Sequence, residues 1–224
     1  MFKQTKSEET RSQILQAALR LFRQKGFEDT TMREIAAEAG MATGAAYYYF
    51  QSKEALVMTF YEQAHRDMDG PIADALAGQK TLEKRLRAII AVKLAYFEQD
   101  RGFLGALNRH AADPEHALSP FSGETREVRD QDMRHFTLAV EHSSMKVPED
   151  LKSALPRVLW LYQMGIILFW IYDRSSRQQR TQQLLDSSLP MVAGLIKMAN
   201  LPFTRPLRRR VLELIRIVAP GDTA

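Results

Sequence analysis

The chain has 224 residues, 45% of them hydrophobic, enough for a packed core in one large or two smaller domains. It contains no cysteine, which excludes disulfide scaffolds, thiolate metal sites and cysteine nucleophiles and fits a reducing, cytoplasmic setting. The net charge of +4 hints at a polyanionic partner, but residues 1–55 carry eight Lys/Arg (Lys3, Lys6, Arg11, Arg20, Arg23, Lys25, Arg33, Lys53) against seven Asp/Glu (Glu8, Glu9, Glu28, Asp29, Glu34, Glu38, Glu54), so charge alone does not argue for nucleic acid.

No stretch alternates apolar and polar residues with β-branched enrichment over a strand's length, and the predicted fold is all-α. The N-terminal MFKQTKSEET lacks the apolar core of a signal peptide. Ile14, Leu15, Ala18, Leu21 and Phe22 fall on one helical face, with Thr5 and Glu8 as a capping box and Gly26 as the stop. Thr31 and Glu34 offer a second capping box for a short helix whose apolar face is Met32, Ile35, Ala36 and Ala39 and which ends at Gly40. A third segment runs from Ala42 to about Tyr48, and Ser52 with Glu54 opens a fourth helix. Ala36 and Ala39 let two helix axes approach, and Gly40 supplies the left-handed turn: a helix-turn-helix, with Ala45 and Ala46 keeping its second helix slim enough for a groove. Phe50 is assigned to the core. Three tyrosines in a row, Tyr47, Tyr48 and Tyr49, pair flat apolar rings with hydroxyls, a combination that packs on a sugar or a thymine methyl while donating to phosphate.

Beyond residue 53 the pattern is long helices, with breaks expected at Gly70–Pro71, Gly78, Asp100–Gly102, Asp113–Pro114, Ser119–Pro120, Lys146–Pro148, Arg174–Gln179 and Pro202. Residues 158–172, VLWLYQMGIILFWIY, are apolar around the whole circumference, so every side must be covered. Only fifteen residues long and interrupted by Gln163, the segment is expected not to enter a membrane; one face serves the protomer's core and the other meets a second copy. RPLRRR, 205–210, leads into Val211, Leu214, Ile215 and Val218, read as a solvated basic face over an apolar stripe. Asp132 and His135 lie one helical turn apart, but a di-metal carboxylate bundle needs two such pairs and two further carboxylates. Without a glycine-rich phosphate loop, a nucleophile elbow or a zinc-protease helix, no catalytic residue, metal or cofactor is expected. A helical protein-binding adaptor and a metal-dependent helical-bundle enzyme stand as the alternatives to a DNA-binding regulator.

The stretch GFEDTTMREIAAEAGMATGAAYYYFQSKEALV resembles the DNA-binding signature of the TetR family of bacterial regulators, where a Tyr-Tyr/Trp-His-Phe-like cluster precedes a lysine and a leucine-containing fourth helix. Tyr47, Tyr48, Tyr49, Phe50, Lys53 and Leu56 match it, over roughly residues 10–60. The chain departs at Tyr49, often histidine in the family, and at the alanine-rich segment 42–46, which holds few base-reading side chains. The resemblance implies an N-terminal three-helix helix-turn-helix domain over residues 1–52 and a C-terminal helical ligand-binding and dimerisation bundle over 53–224. It implies a third helix in the major groove of double-stranded operator DNA, with contacts from Thr31, Arg33, Ala42, Thr43, Gly44, Tyr47, Tyr48, Tyr49 and Lys53. It further implies a homodimer paired through C-terminal helices within residues 155–200, with its two third helices about 34–36 Å apart on DNA. A C-terminal cavity would be lined by Phe97, Phe103, Leu107, Met133, Phe136, Trp160, Met164 and Trp170, with Arg109, His110 and Gln163 orienting a polar group. The expected activity is ligand-responsive transcriptional regulation, by default repression relieved by a small hydrophobic or aromatic effector that tilts the fourth helix.

Overall fold

The computed structural model describes residues 6–110, 113 and 115–218, without the side chains of residues 110 and 216–218. Thr5 of the first expected capping box, the side chain of His110 and the side chain of Val218 lie outside the described residues. Among the described residues the chain forms eleven α-helices and no strand: α1 (Lys6–Lys25), α2 (Met32–Glu38), α3 (Thr43–Tyr49), α4 (Lys53–Leu76), α5 (Leu82–Tyr96), α6 (Arg101–Leu107), α7 (Arg126–Glu141), α8 (Glu149–Lys152), α9 (Leu155–Tyr172), α10 (Gln179–Met198) and α11 (Arg205–Val218). They form two compact units, Met1–Met68 with Tyr96–Arg129, and Asp69–Ala95 with Asp130–Ala224.

In the first unit the buried stripe of α1, Ile14, Leu15, Ala18 and Phe22, packs with Ile35 and Ala36 of α2, Ala46 of α3, and Leu56 and Val57 of α4. Thr31 caps α2 as its sequence spacing requires: its Oγ1 accepts from the Glu34 N–H, and the Glu34 carboxylate accepts from the Thr31 N–H at 2.8 Å. Gly40 has φ +69°, and its turn is closed by the Met41 N–H donating to the Ala36 carbonyl at 2.9 Å. No atom crowds the missing Cβ, so conformation alone demands glycine there. Gly40→Ala should cost about 1–2 kcal/mol in urea unfolding, the penalty for an L side chain in the left-handed region.

Two expectations change here. The break expected at Gly70–Pro71 does not occur: α4 runs through it to Leu76, and Gly78, at φ +76°, follows its end. A proline clashes with the Cβ of the residue before it, and Gly70 has none; Met68, Ile72 and Leu76 meanwhile keep one buried face through the site. Second, Phe103 and Leu107 belong to the hydrophobic core of the first unit, and half-buried Phe97 packs against it. Phe103 stacks on Phe22 of α1 at 5.1 Å, and Phe60 of α4 meets Phe97 at 6.0 Å and Phe103 at 5.9 Å. These three side chains are therefore packed with helices α1 and α4 of the first unit.

In the second unit α9 and α10 pack together, and the Tyr162 hydroxyl lies 2.6 Å from the Ser188 hydroxyl. The loop between them places Arg177 and Gln178 at φ +49° and +51°. Asp173 holds it: one carboxylate oxygen accepts from the Ser175 N–H and hydroxyl, the other from the Thr181 N–H and hydroxyl, all within 2.9 Å. Burial opposes its charge, but these donors hold its carboxyl below the ordinary range. Arg85, buried in α5, donates to the carbonyls of Leu76 and Gln79 at the end of α4 and of Leu138 in α7. Burial pulls its guanidinium down from the usual arginine value. α11 is tied to its own unit by Arg208, which donates to Asp150 at 2.8 Å, while Arg205, Arg209 and Arg210 are exposed. The stripe beneath the basic run is divided: Val211 and Leu214 face solvent and Ile215 is half-buried.

Candidate nucleic-acid interface

α3 carries one buried side chain, Ala46, and this decides what the helix offers outward. With Ala46 inside, Gly44, Ala45, Tyr47 and Tyr48 stand exposed and Thr43 and Tyr49 are half-buried. Tyr48 is 82% exposed and touches Tyr49 edge-on, with ring centroids 5.2 Å apart. Tyr47 is also exposed, while Tyr49 leans on the core and Phe50 is buried within it. Two large amphipathic rings left mostly in water, one touching only the edge of its neighbour, point to a contact outside the protomer.

α2 and α3 pack on one another, and α2 also packs on α1. Ala39 is pinned by the Gln13 side-chain amide, which donates to its carbonyl at 2.9 Å. The face so formed is Thr31, Arg33, Ala42, Gly44, Tyr47 and Tyr48, all exposed. Its acidic neighbours are paired: Glu34 with Lys25 at 2.6 Å and Glu38 with Arg20 at 2.8 Å. The hydrogen bond from Lys25, then those from Thr31, holds the Glu34 carboxyl at about 2, against 4.5 for a free side chain. Glu34 should therefore titrate near pH 2 when followed by carboxyl ¹³C shift. Since the folded value is the lower one, its contribution to α2 is full above about pH 4.5 and is lost as pH falls toward 2. Arg33 has no intramolecular partner among the described residues, so an uncompensated cation sits beside two neutralised carboxylates.

Lys53 is placed otherwise than a free phosphate-binding lysine. Its Nζ donates to the carbonyls of Phe27 at 2.7 Å and Glu28 at 3.2 Å and lies 4.5 Å from the centre of the Phe27 ring. It staples the loop after α1 to the start of α4, leaving one N–H unspent. Lys53→Ala should consequently lower stability as well as any DNA affinity, seen as a reduced thermal midpoint.

Of the expected effector residues, Met133 and Phe136 lie on α7 and Trp160, Gln163, Met164 and Trp170 on α9, all in the second unit. Phe136, Trp160, Gln163 and Trp170 are buried there; Met133 and Met164 are half-buried. Sequence reasoning missed Lys93 of α5, which forms an ion pair with Asp132 of α7, and weighed Asp132 only as a metal partner of His135. The available signal was a lone lysine inside the apolar run AIIAVKLAY. His135 instead places Nε2 2.8 Å from Asp69 and Nδ1 3.5 Å from Asp132.

α9 has two apolar faces. Leu155, Leu159, Trp160, Ile166 and Trp170 are buried, whereas Val158, Leu161, Leu168, Phe169 and Tyr172 are exposed. Met191, Leu195 and Met198 of α10 are exposed at about one-turn spacing. By length and composition alone α9 would suffice to cross a membrane, which the fifteen-residue reading did not anticipate. Its inner face is instead spent on the second unit, a helix-bundle arrangement.

Two family models cover these regions: that described as bacterial regulatory proteins, tetR family, over residues 14–58, and a tetracyclin repressor-like C-terminal domain over residues 85–211. The chain is 34% identical over 110 residues, 48% of its length, to the HTH-type transcriptional regulator YerO of Bacillus subtilis, covering 38% of that protein. It is 41% identical over 71 residues, 31% of its length, to the regulator TtgR of Pseudomonas putida, covering 34% of it. The matches thus span less than half the length of these curated relatives. Among solved structures, GusR of Salmonella enterica superposes with a TM-score of 0.62 at 21% identity, covering 88% of this chain and 100% of that one. A tetR-family regulator of Streptomyces coelicolor does so with 0.60 at 22%, covering 92% and 97%; at these identities the likeness is one of fold. With a helix-turn-helix that projects exposed tyrosines, a helical second unit, and family models over both, the chain belongs to the TetR family of bacterial regulatory proteins.

Proposed function

We propose that the chain is a ligand-responsive, DNA-binding transcriptional regulator that acts as a homodimer and, by default, as a repressor released by a small hydrophobic or aromatic effector. The observation that carries this reading is the exposure of Tyr47 and Tyr48 on a helix whose remaining residues are small except for Tyr49. Tyr47, Tyr48, Tyr49, Thr43 and the backbone at Ala42 and Gly44 meet the groove; Thr31, Arg33 and the remaining N–H of Lys53 meet phosphates. Residues 1–52 act as the DNA-binding domain and 53–224 as the effector and dimer domain, with α4 joining them.

The dimer forms through the outer faces of α9 and α10, because an apolar surface of this extent is not left in water. Sedimentation at micromolar concentration should show about 51 kDa, twice the 25.6 kDa of the chain. A purely 25.6 kDa species would remove the dimer. Family members bind operator DNA, form dimers and respond to small molecules, which supports the same reading here.

Selection from a random duplex library, followed by mobility shift, tests the function. Recovery of a palindromic site with a nanomolar dissociation constant is expected, with a logarithmic salt slope below about ten. Failure to retain any duplex would leave the helical adaptor reading in its place. A thermal-shift screen of hydrophobic and aromatic compounds, read again as loss of operator binding, tests the effector.

A further inference from the structure

A polar cluster among the described residues of the second unit is drawn from three helices: Lys93 of α5, Asp132 of α7 and Gln163 of α9. One Asp132 oxygen takes the Lys93 ion pair, and the other accepts from the Gln163 Nε2 at 3.1 Å. The Lys93 side chain is 3% exposed and Gln163 is 1% exposed. Burial alone would raise the Asp132 carboxyl, but the Lys93 charge, the bonds from Lys93 and Gln163 and the nearby His135 ring hold it well below the ordinary range. The carboxylate is therefore charged, and it fixes the Gln163 amide: turned over, Oε1 would meet Asp132 with no proton between them.

In that fixed orientation the Gln163 Oε1 is buried and accepts no hydrogen bond among the described residues. The Lys93 ammonium has three donors, and its contacts are Asp132 and the face of the Phe136 ring, 5.3 Å away. A spare acceptor and spare donors thus hang on the two oxygens of one carboxylate, beside Phe136 and with Trp160 one turn before Gln163 on α9. Leaving a buried carbonyl unbonded is costly, and a fold retains such a group where something else completes it.

We propose that Lys93, Asp132 and Gln163 form the polar anchor of the effector site, and that it takes an uncharged aromatic molecule bearing a hydroxyl. The hydroxyl oxygen accepts from Lys93 and its proton goes to Gln163 Oε1. Lys93 and Asp132 already neutralise each other, so an ionic ligand would bring an unpaired buried charge. A carboxylate would face Asp132 and the Gln163 carbonyl; an ammonium would face Lys93; an ether would leave Oε1 unbonded. This inference rests on the effector reading above and names the chemistry of its site.

The test uses the full-length protein and one scaffold in four forms: 4-butylphenol, its methyl ether, 4-butylbenzoate and 4-butylbenzylammonium, measured by calorimetry and thermal shift. The phenol should bind at least tenfold more tightly than the ether and either ion, and in Gln163→Met that preference should shrink to about twofold. Equal binding of phenol and ether, tighter binding of an ion, or a preference unchanged in Gln163→Met overturns the anchor. So does the absence of binding by all four at 1 mM. The wild-type comparison decides the chemistry even if the variant does not fold, and Gln163→Asn, which withdraws the carbonyl by one methylene, gives a second reading. If the broader screen finds effectors of another class, the anchor alone has failed; if nothing releases operator, the effector reading fails too.

Discussion

Tyr48→Ala lowers operator affinity about a hundredfold and leaves the thermal midpoint unchanged. The first half follows from loss of a ring and a hydroxyl at the contact: at about 1.4 kcal/mol per copy, and with two copies in each bound dimer, the product is about 10². The second half follows from exposure: Tyr48 is 82% exposed and its one ring neighbour is Tyr49, so its removal empties nothing in the core. Arg33→Ala should act differently. Two lost phosphate contacts reduce the logarithmic salt slope by about 1.8, with little effect on sequence preference. Fluorescence anisotropy across a salt series separates the two behaviours. Unchanged affinity for Tyr48→Ala would displace α3 from the groove.

Lys93→Met destabilises the protein by about 3–5 kcal/mol, the largest effect on folding expected here. The substitution preserves the aliphatic volume between the helices and deletes the charge that compensates Asp132. Asp132 retains Gln163 as a donor, so the cost should sit toward the lower end. The double variant Lys93→Met, Asp132→Leu should recover most of the loss, because removing both members of a buried pair is often neutral. Urea unfolding of the four members of this cycle gives the coupling energy directly. If the single and double variants were equally unstable, the pair would be a by-product of packing.

How much of this was readable beforehand depends on how far apart in the chain the partners lie. The Thr31–Glu34 box is written within four residues, so spacing identified it, and Ala36, Ala39, Gly40 and Phe50 took the places their sizes require, whereas Ala46, expected with Ala45 on the groove side, is buried in the core. Lys53 is different. Its partners Phe27 and Glu28 lie 26 and 25 positions away, and nothing local distinguishes a lysine bound for a carbonyl from one bound for a phosphate. Phe103 likewise chose Phe22 of α1 over the bundle that its position after residue 80 suggested. The Lys93–Asp132 pair spans 39 positions, and each member alone looks like an ordinary charged residue on a helix. Pro71 misled because part of its effect depends on its neighbour: Gly70 has no Cβ for the proline ring to meet, and the helix runs on through it.

Both tryptophans of the chain, Trp160 and Trp170, are buried in α9, and the first unit has none. Indole emission therefore reports melting of one half of the molecule and is blind to the other. A denaturation curve followed by fluorescence and one followed by far-ultraviolet dichroism will coincide only if both halves unfold together. Their separation would measure how independently the two units hold their structure.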